Sequence, residues 1–138
     1  MDGVLQRSID PLLKREGKAK LILDLDSSED PAHGRQEGVN YNGHFRKNCY
    51  HPLFCFTSSG ISLAGKLREG NVHSARGVLE ILSPIVERYR KHFKQFWLRG
   101  DAAFAKPELY ADCEQREMTY FIRLKSNNTL KNLIEPYL

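Results

Sequence analysis

Residues 21–28 read LILDLDSS, an apolar run in strand rhythm that carries two carboxylates into a polar turn. Alternate side chains of a strand point to the same face, so the pattern predicts that Asp24 and Asp26 share one. A second run, FWLRGD at residues 96–101, also ends in an aspartate, Asp101. Two strands that each deliver an aspartate favour a phosphoryl-transfer site. Mg²⁺ prefers carboxylate oxygens, and two-metal sites hold a phosphodiester through such ligands.

The composition is typical of one soluble globular domain. The chain has 138 residues, of which 41% are hydrophobic and 28% are charged, which is enough for a single core. A net charge of +4 permits contact with nucleic acid without requiring it. No apolar run approaches the roughly 20 residues of a membrane helix, and no secretory signal opens the sequence. We therefore expect no membrane partner and a cytoplasmic location.

Cysteine and histidine usage argues against a disulfide framework and a zinc site. The three cysteines, Cys49, Cys55 and Cys113, form no CxxC pair and are predicted to be reduced thiols. The five histidines have no ligand-like spacing to one another or to cysteine.

Hydrophobic periodicity predicts an α/β fold with five strands and two main helices. Residues 1–19 are expected to be a weakly structured lead-in, either a short helix around residues 11–14 or a frayed segment, and residues 20–138 a single domain. The predicted strands cover residues 20–26, 50–57, 61–67, 96–101 and 119–124. An apolar stripe at a period of 3.6 predicts a long helix within residues 75–93, which Pro84 is expected to kink or split. Pro107 is expected to open a second helix, and residues 27–48 are expected to form a polar loop.

The order of these elements predicts a topology that brings two acids together. The second and third strands form a hairpin, and the long helix is a crossover that lays the fourth strand parallel to the first. Asp26 and Asp101 would then meet at the carboxyl edge of the sheet, where open α/β sheets bind ligands. The predicted strand order is 3-2-1-4-5.

Six short segments, in this order, resemble the DDE transposase domain of bacterial insertion sequences, in its group one branch. They are LDLDSS (23–28), HGRQEG (33–38), YNG (41–43), YHPL (50–53), LREGNVHS (67–74) and RGDAAF (99–104). The resemblance extends from about residue 21 to residue 127. It implies a ribonuclease-H-like fold, cleavage and joining of double-stranded transposon ends, and catalysis with two Mg²⁺ or Mn²⁺ ions. It also implies that Asp26 is the first acid, with Asp24 as the alternative, and that Asp101 is the second.

The sequence departs from this family at the third acid, a glutamate on a later helix. The one late candidate is Glu135, which precedes Pro136, and a residue before proline disfavours the helical region. We therefore expect a truncated domain that lacks its last metal ligand and is inactive alone.

Two alternatives remain open. A fragment of this kind could bind DNA without cutting it, form homo-oligomers, or pair with a full-length transposase as an inhibitor. Asp24 and Asp26 also resemble the nucleophile and the acid/base of haloacid-dehalogenase-like phosphatases.

Basic side chains near the two acids are candidates for contact with DNA phosphates. They are Arg35, Lys66, Arg68, His73 and Arg99.

Overall fold

The computed structural model describes residues 2–15, 19–34 and 36–137. Within these ranges the strands are β1 (Lys20–Ser27), β2 (Asp30–Pro31), β3 (Asn40–Asn42), β4 (Lys47–Tyr50), β5 (Leu53–Thr57), β6 (Ser62–Lys66), β7 (Gln95–Gly100) and β8 (Thr119–Ile122). The helices are α1 (Asp2–Arg15), α2 (Val78–Tyr89), α3 (Pro107–Gln115) and α4 (Asn128–Ile134).

The main sheet has five strands in the order β6-β5-β1-β7-β8. β5 pairs antiparallel with both β1 and β6, whereas β7 pairs parallel with both β1 and β8. This arrangement confirms the predicted mixed sheet of order 3-2-1-4-5, in which α2 is the connection between the hairpin and the central parallel pair. The two central strands, β1 and β7, are the ones that lead into the predicted acids.

The core lies between α2 and one face of this sheet. Leu21, Leu23 and Leu25 alternate along β1 and are at most 6% exposed, and they pack in one cluster with residues of α2. The predicted stripe is therefore a buried helix face. The helix itself is shorter than the stripe because Gly77 precedes it with a φ of 78°, a left-handed conformation that does not continue a helix.

Pro84 neither splits nor ends α2, which runs through it as a single helix. The proline lies on the exposed side, so water can reach the backbone that it leaves without a helical hydrogen bond. The expected helix from Pro107 is present as α3, with the proline in its first turn.

The described part of residues 1–19 is mostly a helix, which the sequence allowed only as a short one around residues 11–14. Residues 2–15 form α1, which buries Ile9 and Leu13 in the core at 4% and 1% exposure. Asp10 on the same helix receives hydrogen bonds from Arg88 and from the hydroxyl of Tyr89, both on α2. Leu5, Ile9 and Leu12 have helical spacing in the sequence, but the contacts with α2 come from a segment about 80 positions away.

The predicted polar loop contains a second, smaller sheet of order β2-β4-β3. Its strands have two to four residues each, below the length at which alternation is readable. The sheet is fastened by Asn42, which is 7% exposed and accepts hydrogen bonds from the backbone N–H groups of His44 and Phe45. The Asn42 side chain also donates to the carbonyl of Gly70 at 2.5 Å. Gly70 has no room for a side chain, because a Cβ there would lie 2.0 Å from the carbonyl oxygen of Cys49.

Glu135 is helical, contrary to the expectation from the proline that follows it. It has helical backbone angles, φ −50° and ψ −42°, at the end of α4, and it opens a 3₁₀ turn that includes Pro136. The residue before proline disfavours this conformation but can adopt it, and the hydrogen bond from the Glu135 N–H to the carbonyl of Lys131 stabilises it here. Glu135 is nevertheless exposed, and α4 buries no side chain.

Candidate active site at the carboxyl edge of the sheet

The carboxyl ends of β1 and β7 lie side by side. The parallel pairing of the two strands extends to Asp24 opposite Arg99. Asp26 lies two residues after Asp24, and Asp101 lies two residues after Arg99. The two aspartates therefore occupy equivalent positions beyond the last paired residues of the two strands. Both residues are exposed. Elementary sheet geometry therefore brings the two strand ends that carry these acids to one edge of the molecule.

Asp101 is held at the start of a 3₁₀ turn formed by Ala102–Phe104. One of its oxygens, Oδ1, accepts a hydrogen bond of 2.8 Å from the N–H of Ala103. Gly100 allows this sharp turn, because a Cβ at that position would lie 3.2 Å from the Phe104 ring. Phe104 is 1% exposed and anchors the turn in the core.

Asp24 and Asp26 have different surroundings. Asp24 receives both arms of the Arg99 guanidinium, with Nε–Oδ1 and Nη2–Oδ2 distances of 2.5 and 2.6 Å. Among the residues that the structure describes, Asp26 has no side-chain hydrogen bond or ion pair. A carboxylate in a bidentate pair must give up that pair to bind a metal or attack phosphorus, whereas Asp26 need not. The phosphatase alternative, with Asp24 as nucleophile, gains no support from this geometry.

A cavity of about 1020 Å³ opens beside Asp101. Its walls come from the end of β1, the β3–β4 turn, the link between β4 and β5, the segment before α2, the turn after β7 and the segment that leads into α4. The side chains that line it include three histidines, His44, His51 and His73, and two lysines, Lys106 and Lys125. Asp101 is the one acid on this wall among the described residues. A basic and aromatic cavity next to a carboxylate is chemically suited to a phosphate ester.

The two histidines nearest the end of β1 have fixed and opposite hydrogen-bond roles. His51 is 3% exposed, and its Nδ1 lies 2.9 Å from the carbonyl oxygen of Val72, so Nδ1 carries the hydrogen. His73 is exposed, and its Nδ1 accepts from the N–H of Ala75 at 3.1 Å. Partial loss of water around the ring, followed by the charge of Lys106, holds the pKa of His73 below its usual value, which favours the neutral ring.

Arg68 braces the backbone between the small sheet and α2. It is 7% exposed and donates from Nε to the carbonyl of His51 at 2.7 Å. Its Nη1 donates to the carbonyls of Ser74 and Arg76 at 2.8 and 2.7 Å, and more weakly to that of His73. Burial lowers the pKa of this guanidinium. Arg68 thus fixes the two segments that carry His51 and His73.

The other predicted DNA-contact residues lie in varied settings. Arg35 lies outside the described residues. Lys66 ends β6 at the same edge of the sheet and forms an ion pair with Glu80 on α2. Arg99 is half-exposed and carries the Asp24 carboxylate. Of the four members of this group that the structure describes, only His73 lines the cavity, and the burial of Arg68 favours its bracing role over a DNA contact.

Sequence reasoning did not single out His51 or Lys106 as site residues, and it considered Lys125 only as the lysine of the phosphatase alternative. His51 lies in a short tract between two strands, and no periodicity marks its ring as a wall of a cavity. Lys106 follows Asp101 by five positions, so proximity along the chain was an available signal. Lys125 follows β8, which ends at the same edge of the sheet as β7 because the two strands are parallel.

The described residues do not provide a complete set of ligands for a metal ion. No group of three or more His, Cys, Asp or Glu side chains within the described ranges is arranged to hold a metal ion. The donor chemistry of Asp26 and Asp101 fits a hard divalent cation, since both are exposed carboxylates with oxygens free of protein partners in the described structure.

The three cysteines are buried free thiols, and burial raises the pKa of Cys55 to about 12 and that of Cys113 to about 11. No helix in the described ranges combines the length and apolar character that crossing a bilayer requires.

Comparison with known proteins gives one family and several structures. The family described as Transposase DDE domain group 1 matches residues 1–138. No curated protein sequence matches the chain. The piggyBac transposase, solved in a synaptic complex with hairpin DNA, superposes with a TM-score of 0.51 at 20% identity, over 88% of this chain and 27% of that one. The Mos1 mariner paired end complex with Mn superposes with a TM-score of 0.50 at 8% identity, over 96% of this chain and 52% of that one. The chain therefore spans about a quarter to a half of these proteins, and at such identities the likeness shows the ribonuclease-H-like fold alone.

Proposed function

Because this chain belongs to the group 1 transposase DDE domains, we propose that it supplies two carboxylates of a metal site that cleaves and joins DNA strands. Asp26 and Asp101 are the proposed ligands, and Mg²⁺ or Mn²⁺ the proposed metals. The observation that carries this proposal is the parallel pairing of β1 and β7, which ends two residues before each acid. The proposed substrate is the double-stranded end of an insertion sequence.

The residues of the chain divide the work as follows. Asp26 and Asp101 would hold the cations, which when bound neutralise phosphate charge and activate an attacking hydroxyl. Arg99 donates two hydrogen bonds to Asp24, so Asp26 is the carboxylate on β1 that is available to bind a metal ion. The basic side chains Lys106 and Lys125 would hold the DNA backbone beside Asp101.

A two-carboxylate site is incomplete for this chemistry. The described residues contain no third ligand for the same metal, so we expect the chain by itself to bind metal and DNA without turning over. The same observation favours the second candidate function, a non-catalytic DNA-binding protein that associates with another copy or with a full-length transposase.

The test uses linkage between metal and DNA. If one cation bridges the carboxylates and a phosphate, each ligand must tighten the binding of the other. We expect Mn²⁺ to increase affinity for a labelled duplex in fluorescence anisotropy, and this increment to vanish in Asp26→Asn and in Asp101→Asn. Asp30→Asn, an exposed acid on β2, is the matched control and should keep the increment. Equal affinity of the wild-type chain with and without Mn²⁺ would contradict the metal site.

A nicking assay separates the two candidate functions. Mn²⁺-dependent nicking of duplex DNA that is lost in both aspartate variants would establish a catalytic chain. Binding without nicking supports the non-catalytic role.

A further inference from the structure

The net positive charge of the chain is concentrated in one short segment. Residues 88–94 read RYRKHFK and contain four of the 21 lysines and arginines but none of the 17 aspartates and glutamates. The rest of the chain carries 17 side chains of each sign and is formally neutral, so the charge of +4 lies in this segment. Residues 88–94 are called the basic turn below.

The basic turn is fixed in place by buried rings and by backbone hydrogen bonds. It leads from the last turn of α2 into β7, at the edge of the main sheet opposite the carboxyl ends of β1 and β7. Tyr89 and Phe93 are 4% and 6% exposed, and their rings pack edge-to-face with centroids 6.4 Å apart. The N–H groups of Lys94 and Gln95 donate to the carbonyl of Ala19 at 3.1 and 3.4 Å.

Three basic side chains of this segment are exposed and lack an acidic partner. Arg90, Lys91 and Lys94 form no ion pair with a described residue. Arg88 differs, since it donates to both oxygens of Asp10, and it already places a cation in the last turn of α2, where the helix dipole favours one. The three remaining cations repel one another at short range, so an anion that neutralises them is favoured.

Lys20 extends this positive surface onto β1. It pairs with Gln95 in the parallel register, so it lies beside the basic turn at the same end of the sheet. Its Nζ is 3.7 Å from the centroid of the Trp97 ring, which stabilises the ammonium group without neutralising it. Four cations without a carboxylate partner among the described residues therefore lie at this end.

The chemistry of the basic turn favours a nucleic-acid backbone over a protein or a membrane. Its two large apolar side chains, Tyr89 and Phe93, are buried, so it offers no apolar centre for a protein interface and no side chain to insert into lipid. Duplex DNA carries one negative charge for about every 1.7 Å of its axis, so several phosphates can meet these cations at once.

Resting on the proposed function, we infer that the basic turn and Lys20 bind the phosphate backbone of duplex DNA as a contact separate from the metal site. β7 has six residues between the basic turn and the turn that carries Asp101. At about 3.3 Å for each residue, the two places are roughly 20 Å apart. The contact is therefore independent of bound metal and of the DNA sequence.

The experiment measures how the affinity for a labelled duplex depends on salt, by fluorescence anisotropy in EDTA. The logarithm of the binding constant changes with the logarithm of the salt concentration by about 0.9 for each phosphate contact. We expect the neutral variant, with Arg90→Gln, Lys91→Gln and Lys94→Gln combined, to flatten this slope by about 2.7 and to weaken binding about tenfold or more at about 50 mM salt. All three side chains are exposed, so the variant should unfold at the same urea concentration as the wild type.

Two controls separate a local contact from a general effect of charge. The charge-keeping variant, with Arg90→Lys, Lys91→Arg and Lys94→Arg, should retain the wild-type slope. The second control removes the same charge by changing to glutamine three exposed cations outside the basic turn, Arg76, Arg123 and Lys131. It should flatten the slope by less than about 1.

A footprint gives a local readout in the unmodified chain. Lys91 and Lys94 are exposed, so a lysine-acetylating reagent should modify both in the free chain, as read by mass spectrometry. A saturating duplex should protect both from the reagent, and about 1 M salt should restore their modification because it screens the contact. Equal modification with and without the duplex would overturn the inference.

The outcomes distinguish this inference from the proposed function. A wild-type slope in the neutral variant, or an equal flattening in the second control, overturns the inference even where the Mn²⁺ increment is present. A flattened slope without any Mn²⁺ increment in the wild-type chain supports the inference and overturns the metal site. If the neutral variant loses binding to poly-L-glutamate but keeps the duplex slope, the basic turn is a site for an acidic protein and the inference is overturned. A chain that binds no duplex overturns both.

Discussion

At the scale of single residues, Asp24 and Asp26 differ in the side chains that contact them. Asp24 is neutralised by Arg99, whereas Asp26, two positions later on the same face of β1, makes no ion pair with a described residue. The sequence indicated that both aspartates share a face, but it could not rank them from the residues alone. The pairing depends on the register between β1 and β7, which is a long-range property.

Arg68 gives the first prediction at this scale. Replacing it with lysine removes the fork that holds two backbone segments, at His51 and at residues 73–76, and leaves several of their carbonyls without this donor. We expect Arg68→Lys to lower the free energy of unfolding by about 3 kcal/mol in urea denaturation. Arg123→Lys, at an exposed arginine beyond β8, should change it by less than about 0.5 kcal/mol. Equal effects of the two changes would show that Arg68 does not brace the fold.

The buried thiols give a second prediction. Thiolate is the reactive form, and burial raises the pKa of Cys55 to about 12 and that of Cys113 to about 11, while that of Cys49 is also raised. The folded chain at pH 8 should therefore react very slowly with a disulfide reagent such as DTNB. In denaturant all three cysteines should react at once. Rapid labelling of the folded chain would contradict the burial of these residues.

His73 gives a third prediction, on pH. Partial loss of water around its ring, followed by the charges of Lys106 and Arg68, lowers its pKa against the opposing effect of Glu108. The folded chain thus binds this proton less readily than the unfolded chain, so protonation favours unfolding. The contribution of His73 to stability should be complete above the ordinary histidine pKa of about 6.5, and should be lost as pH falls from there through the lowered value.

NMR titration of the His73 ring measures this directly. A midpoint at or above the ordinary value would contradict the prediction. Denaturation of wild type and His73→Asn across the same window provides the stability readout, and the difference between them should shrink or reverse as the pH falls.

At the scale of elements, the full length and the position of α1 could not be predicted from its local sequence. Its sequence indicated at most a short helix around residues 11–14, and the contacts that define its docked position come from α2, through Arg88 and Tyr89. The small sheet β2-β4-β3 was missed for a related reason. Its strands are too short to show alternation, and the side chain of Asn42 and the close approach at Gly70 hold it in place.

The docking of α1 can be measured with two adjacent leucines. Leu13 is 1% exposed and Leu12 is 46% exposed. Leu13→Ala should cost about 3 kcal/mol of stability because it opens a cavity in the core, and Leu12→Ala should cost less than about 1 kcal/mol. Similar costs for the two substitutions would mean that α1 does not pack as described.

At the scale of the whole molecule, the order of the main sheet was predictable because each step is governed by a strong rule. A tight hairpin, one long crossover helix and the right-handedness of that crossover leave few ways to place β7 beside β1. The cavity was not predictable, since its walls come from six separate segments that meet only when the fold is complete. The place of His51 in the cavity wall could be recognised only when its burial and its contact with the Val72 carbonyl were known.

The most direct measurement of the central claim is paramagnetic broadening of the amide NMR signals by Mn²⁺. The account predicts that signals at the ends of β1 and β7, around Asp26 and Asp101, broaden together at the same Mn²⁺ concentration. It also predicts that either Asp26→Asn or Asp101→Asn abolishes the broadening at both ends, while Asp30→Asn leaves it in place. Broadening confined to one strand end, or unchanged by both substitutions, would show that the two aspartates do not share a cation.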